Sequence, residues 1–106
     1  MKIIFDQGVP VPLRSRLSGH EIVTAYELGW STLKNGELIA AAENAGYELL
    51  LTTDQNLKYQ QNLAGRRISV VVLQSTSWPR IQQRIDAISA VLSRASLGSY
   101  EEVTIP

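Results

Sequence analysis

Glu48-Leu49-Leu50-Leu51-Thr52 and Ile68-Ser69-Val70-Val71-Val72-Leu73 are two short apolar runs without a polar face. Runs of that kind suit strands buried on both sides, as in a parallel sheet with helices above and below. The second is the most β-branched stretch of the chain, and it predicts the central strand of the sheet. Between the two runs, Thr53-Asp54 opens a helix that carries Leu57 and Leu63 and stops at Gly65. The spacing thus alternates between strand and helix.

The same alternation continues outward in both directions. Lys2 to Asp6 is a strand-length apolar run that ends in a carboxylate. Gly8, Pro10 and Pro12 then open a short helix with Leu13 and Leu17 on its inner face, and Gly19 sits at its end. Glu21 to Ala25 predicts a second strand. A loop of about nine residues follows, long for such a connection. Asn35 is placed to cap a helix whose inner face is Leu38, Ile39, Ala41, Ala42 and Ala45, closed by Gly46. Beyond the second apolar run, Ser77 and Pro79 open what the spacing predicts as one long helix, striped by Trp78, Ile81, Ile85, Ile88 and Leu92. Tyr100 to Ile105 predicts an edge strand. Strands separated by helices imply right-handed crossovers and a mostly parallel sheet of four to five strands, an α/β fold in one domain spanning residues 1–106.

Composition narrows the chemistry. The 106 residues include no cysteine and a single histidine, His20, so thiolate sites and multi-histidine zinc sites are excluded. A metal here must be a hard cation held by oxygen. Ten basic and ten acidic side chains cancel, so a nucleic-acid partner would be engaged by a local patch or a metal. The three apolar residues at the start cannot form a signal-peptide core, and no apolar run reaches membrane-spanning length. The expectation is a cytoplasmic protein with no membrane partner. Oligomeric state has no signature in the sequence.

In open α/β sheets, ligands bind beyond the carboxyl ends of the strands. Asp6 ends the first strand, Asp54 follows the third, and Glu37 lies in the first turn of the helix entered from the same rim. Two like charges about 4 Å apart repel by roughly 4 kcal/mol at an effective dielectric near 20. A cluster of the three therefore implies either a protonated acid or a bound divalent cation. Mg²⁺ needs only one or two carboxylates plus water. Structural readings compete: Asp54 is an N-cap residue, Glu37 favours a helix dipole, and Asp6 caps the proline-rich helix if it has a local task at all. Lys34, Lys58 and Arg80 fall near helix beginnings on the acidic rim, where a phosphate backbone could pass. Glu27 and Trp30 are expected to pack the loop, and His20 to sit at the opposite rim.

Lys2-Ile3-Ile4-Phe5-Asp6-Gln7 followed by prolines, then Gly19-His20-Glu21-Ile22, Glu27-Leu28-Gly29, Asn35-Gly36-Glu37-Leu38-Ile39-Ala40 and Leu51-Thr52-Thr53-Asp54-Gln55-Asn56-Leu57 together resemble a bacterial PIN-like family of unknown function. The resemblance covers about the first three-quarters of the chain. That family is similar to PIN-domain ribonucleases, including the toxins of toxin–antitoxin pairs. It implies a three-layer α/β/α sandwich, Mg²⁺ or Mn²⁺ at Asp6, Glu37 and Asp54, an RNA substrate and a cognate antitoxin. Relatives commonly carry acids where this chain has Asn35 and Asn56, which leaves a single-metal, weakly active or non-catalytic site open. Two other readings stand beside the nuclease. One is a protein-interaction module anchored by Tyr26, Trp30 and Trp78. The other is a receiver-like phosphoacceptor, weakened by Gln7 where a second acid would be expected.

Overall fold

Side chains alternate across a strand, so a run that is apolar at every position must be covered on both faces. The computed structural model, which describes residues 1–57 and 65–106, meets that demand with a five-stranded sheet. Its strands are β1 (Lys2–Phe5), β2 (Glu21–Thr24), β3 (Leu49–Thr52), β4 (Ser69–Leu73) and β5 (Tyr100–Val103). The order is β2-β1-β3-β4-β5, and every pairing is parallel. One face buries Ile3, Phe5, Leu49, Leu51, Val71 and Leu73 under a 3-10 helix (Val11–Arg16) and two α-helices, α2 (Trp78–Gln82) and α3 (Ile85–Arg94). The other buries Ile4, Leu50, Val70 and Val72 against Leu38, Ile39 and Ala42 of α1 (Asn35–Asn44) and against Leu57. The fold is an α/β/α sandwich. Among the described residues no helix is long and apolar enough to cross a membrane.

Several expectations change. The central strand is β3, not β4. Both strands are fully buried, and burial alone does not say which of the two has two strands on each side. The predicted long helix is two helices. Gln83 N–H bonds to Arg80 O and Arg84 N–H to Ile81 O, so the chain tightens to i→i−3 bonding and restarts at Ile85. Asn35 is the first residue of α1, and the capping position falls on Lys34. Leu57 is helical as expected, whereas Lys58 and Leu63 lie outside the described residues.

Crossover hand also departs from expectation. The β1–β2 and β4–β5 connections lie on the same sheet face but step across the sheet in opposite directions. They therefore have opposite hands. The β2–β3 connection through α1 runs on the other face and shares the hand of β1–β2. Hence β4–β5 is the exception to uniform handedness.

The lower end of the sheet is fastened by Glu43 of α1. Its Oε2 accepts the Arg67 N–H at 2.6 Å and the Ile68 N–H at 3.2 Å, just before β4. The Arg67 amide first, then the Ile68 amide, hold the Glu43 carboxyl below the ordinary carboxylate range. A lowered native pKa adds stability above the ordinary range, and that contribution fades as pH falls through the lowered value. Glu43→Gln is therefore expected to cost about 1 kcal/mol near neutral pH. The difference from wild type should shrink on acidification, as read by urea melts at several pH values. A gap that widens at acid pH would contradict the assignment.

Candidate functional site at the carboxyl rim

Thr52 ends the central strand with a side chain that is 1% exposed, so its hydroxyl must find partners inside the protein. It donates to Asp6 Oδ2 at 2.8 Å and accepts the Asp54 N–H at 3.1 Å. Asp6 Oδ1 accepts the Gln7 N–H at 2.8 Å, and Asp54 Oδ1 accepts the Asn56 N–H at 3.0 Å. One hydrogen-bonded chain thus runs from the end of β1 to the loop after β3. After β1 the chain leaves toward the 3-10 helix; after β3 it leaves toward Leu57 on the opposite face. Such a divergence between adjacent parallel strands opens the crevice where ligands bind. Asp6 and Asp54 stand at its two lips.

The turn after β1 is pressed against the loop after β3. Val9 N–H closes it on Asp6 O at 3.1 Å. A Cβ at Gly8 would overlap the Thr53 hydroxyl, so a side chain at residue 8 would force that hydroxyl or the turn to shift.

A cleft of about 580 Å³ opens beside Asp6 on the β2 side. Its floor includes Val9 and Thr24, and its walls include Val11, Arg14, Tyr26 and Glu27. Arg14 Nη1 donates to Glu27 Oε1 at 2.7 Å and to the Ile22 carbonyl at 3.4 Å. Glu27 Oε1 also accepts the Thr24 N–H at 2.9 Å, and the Glu27 N–H donates back to the Thr24 hydroxyl at 3.1 Å. Glu21 and Ala25 N–H groups point at β1, so Ile22 and Thr24 face outward. The ion pair therefore occupies the place a sixth strand would take and closes the sheet edge. The Thr24 amide first, then Arg14, hold the Glu27 carboxyl below the ordinary range.

Glu37 is exposed in the first turn of α1, where its Oε1 accepts the Lys34 N–H at 3.4 Å. Among the described residues no group of three or more His, Cys, Asp or Glu side chains is disposed to hold a metal ion. The structure brings Asp6 and Asp54 into one bonded network and leaves Glu37 capping its own helix. Carboxylate and hydroxyl oxygens are hard donors, and two carboxylates suit a Mg²⁺ or Mn²⁺ ion that keeps most of its water. Lys34 and Arg80 are exposed at the starts of α1 and α2 on this rim, and Lys58 is outside the described residues. Trp30 and Trp78 pack against the two cores, while Tyr26 is 76% exposed. His20 precedes β2 at the opposite rim.

Arg14, Glu27 and Tyr26 as cleft walls were not apparent from spacing. The Thr24–Glu27 offset of three, a reciprocal side-chain and backbone cap, was the available signal. No family model, no curated protein and no solved structure matches the chain.

The Gly8 contact yields a double-mutant cycle. Gly8→Ala must push Thr53 from its rotamer or lift the Asp6–Val9 turn, at about 1 kcal/mol. With Thr53→Ala in place the nearest atom is the residue 53 Cβ at 3.5 Å, an ordinary contact. Chemical denaturation should show the pair less destabilised than the sum of the single variants. Strict additivity would mean that the two loops do not touch.

Proposed function

We propose that the rim formed by Asp6 and Asp54 is the hydrolytic site of a cytoplasmic, PIN-like ribonuclease dependent on Mg²⁺ or Mn²⁺. The observation that carries this reading is the Thr52 hydroxyl, which ties the two carboxylate-bearing loops together at the crevice of a parallel sheet. The local resemblance of the segments around Asp6 and Asp54 to PIN-like sequences supports the same chemistry. Asp6 and Asp54 would hold the cation. When bound there, a divalent ion supplies Lewis-acid polarisation of a phosphoryl oxygen and a water of lowered pKa.

The chain's own residues do the positioning. Thr52 and the Gln7 amide fix both oxygens of Asp6, so the carboxylate has little freedom left to lose on binding. Among the described residues, Lys34 and Arg80 are rim cations placed to steady a scissile phosphate. Glu37 acts here through α1, whose start it caps. A cognate antitoxin that covers the crevice would silence such a site, and that partner belongs to the same proposal.

A second reading is a non-catalytic interaction module, favoured by one observation, the exposure of Tyr26 beside the half-exposed Val11. The receiver-like reading shares the strand order seen here, yet Asp6 is followed by Gln7 and so lacks the paired acids.

The purified chain should cleave RNA in millimolar Mn²⁺ or Mg²⁺ and stop on chelation. Asp6→Asn and Asp54→Asn should each slow cleavage by about a hundred-fold or more. Thr52→Val should reduce it less while lowering stability by about 1–2 kcal/mol. Cleavage that is equal in wild type and Asp6→Asn would belong to a contaminant and end the proposal.

A further inference from the structure

The cleft beside Asp6 is poorly suited to a phosphate. Arg14 is the only cation among its described lining residues, its Nη1 is already shared between Glu27 and the Ile22 carbonyl, and the Glu27 carboxylate offsets its charge. Two of the other lining side chains, Asp6 and Glu27, are carboxylates that would repel an anion. What remains is a pocket with apolar side chains at Val9 and Val11, a 76% exposed phenol ring at Tyr26, and carboxylate acceptors at the half-buried Asp6 and the exposed Glu27. Its volume, about 580 Å³, is within the range of small-molecule sites.

A neutral, flat, amino-bearing heterocycle matches each of these features. Its face would stack on Tyr26, its edge would lie along Val11, and its exocyclic amino group would donate toward Asp6. We propose that the cleft seats one unpaired nucleobase of the RNA strand, stacked on Tyr26, next to the hydrolytic rim. This rests on the reading of Asp6 and Asp54 as that rim, which supplies the reason for RNA as the source of the base. A base paired within a duplex cannot enter, because its stacking face and its amino edge are already occupied. The chain's net charge of zero leads to the same conclusion. In chelator, with neither a metal nor a net positive charge to hold the backbone, the base supplies most of the affinity, and its salt dependence should be shallow.

The experiment uses a short single-stranded RNA with 2-aminopurine in place of one adenine, the same strand annealed to its complement, and the full chain in chelator. Base stacking is read as fluorescence quenching, without cleavage. Wild type should quench the single strand and leave the duplex unchanged. Tyr26→Ala should weaken binding by about ten-fold, while Tyr26→Phe keeps it within about two-fold. Leu97→Ala, an exposed position beside Glu48 at the opposite rim, should match wild type. Absence of quenching, equal binding of the duplex, or identical affinity of Tyr26→Ala would each overturn the proposal. The two readings fail separately. Asp6-dependent cleavage indifferent to Tyr26 rejects the base seat and keeps the nuclease. Tyr26-dependent quenching without metal-dependent cleavage keeps the base seat and rejects the nuclease.

Discussion

A hydroxyl buried at the end of the central strand organises the upper half of this protein. Thr52 follows three leucines whose side chains are sealed between helices on both faces, and it is buried almost as completely as they are. Leaving such a group without partners would cost about 1–3 kcal/mol. The fold satisfies it with the carboxylate of Asp6 and the amide of Asp54, and in doing so draws the two loops that flank the crevice together. Gly8 allows the close approach that this requires, since any side chain there would meet Thr53. The acidic rim is thus a consequence of closing the sheet.

The two sides of Asp6 have different characters. Toward β3 it enters a network of charged and polar oxygen, suited to a hard cation. Toward β2 it faces a cleft whose cation is neutralised and whose exposed ring invites a planar partner. The same Arg14–Glu27 pair closes the outer edge of β2, so edge protection and cleft shape are maintained by one interaction. Its contribution follows the lowered pKa of Glu27: present above the ordinary carboxylate range and lost as pH falls through the lowered value. Since both side chains are well exposed, that contribution is screened by solvent and salt.

Much of the architecture was legible because burial leaves a pattern in residue type. Uninterrupted apolar runs at Leu49–Leu51 and Val70–Leu73 demanded cover on both faces, and alternation with helices demanded parallel pairing. Placing Asp6 and Asp54 on one rim needed only that topology. Strand order was less accessible, since β3 and β4 are equally apolar and differ only in their neighbours. The break at Gln83–Arg84 was hidden because the stripe from Ile81 to Leu92 keeps its spacing through a tightened turn. Glu37 looked like a third ligand from its place in a first turn, where a carboxylate can equally cap its own helix. The cleft depends on contacts between Arg14 and Glu27, thirteen residues apart with no shared periodicity.

The central claim is that Asp6 and Asp54, joined through Thr52, form one oxygen-donor site. Titrating Mn²⁺ into the uniformly ¹⁵N-labelled chain and following paramagnetic loss of amide signals tests it directly. The account predicts that signals of Asp6, Gln7, Thr53 and Asp54 disappear first, and that Thr52→Val raises the Mn²⁺ concentration needed. Early loss centred instead on Glu43 and Glu48 at the opposite rim, with the Asp6 and Asp54 signals intact, would contradict it.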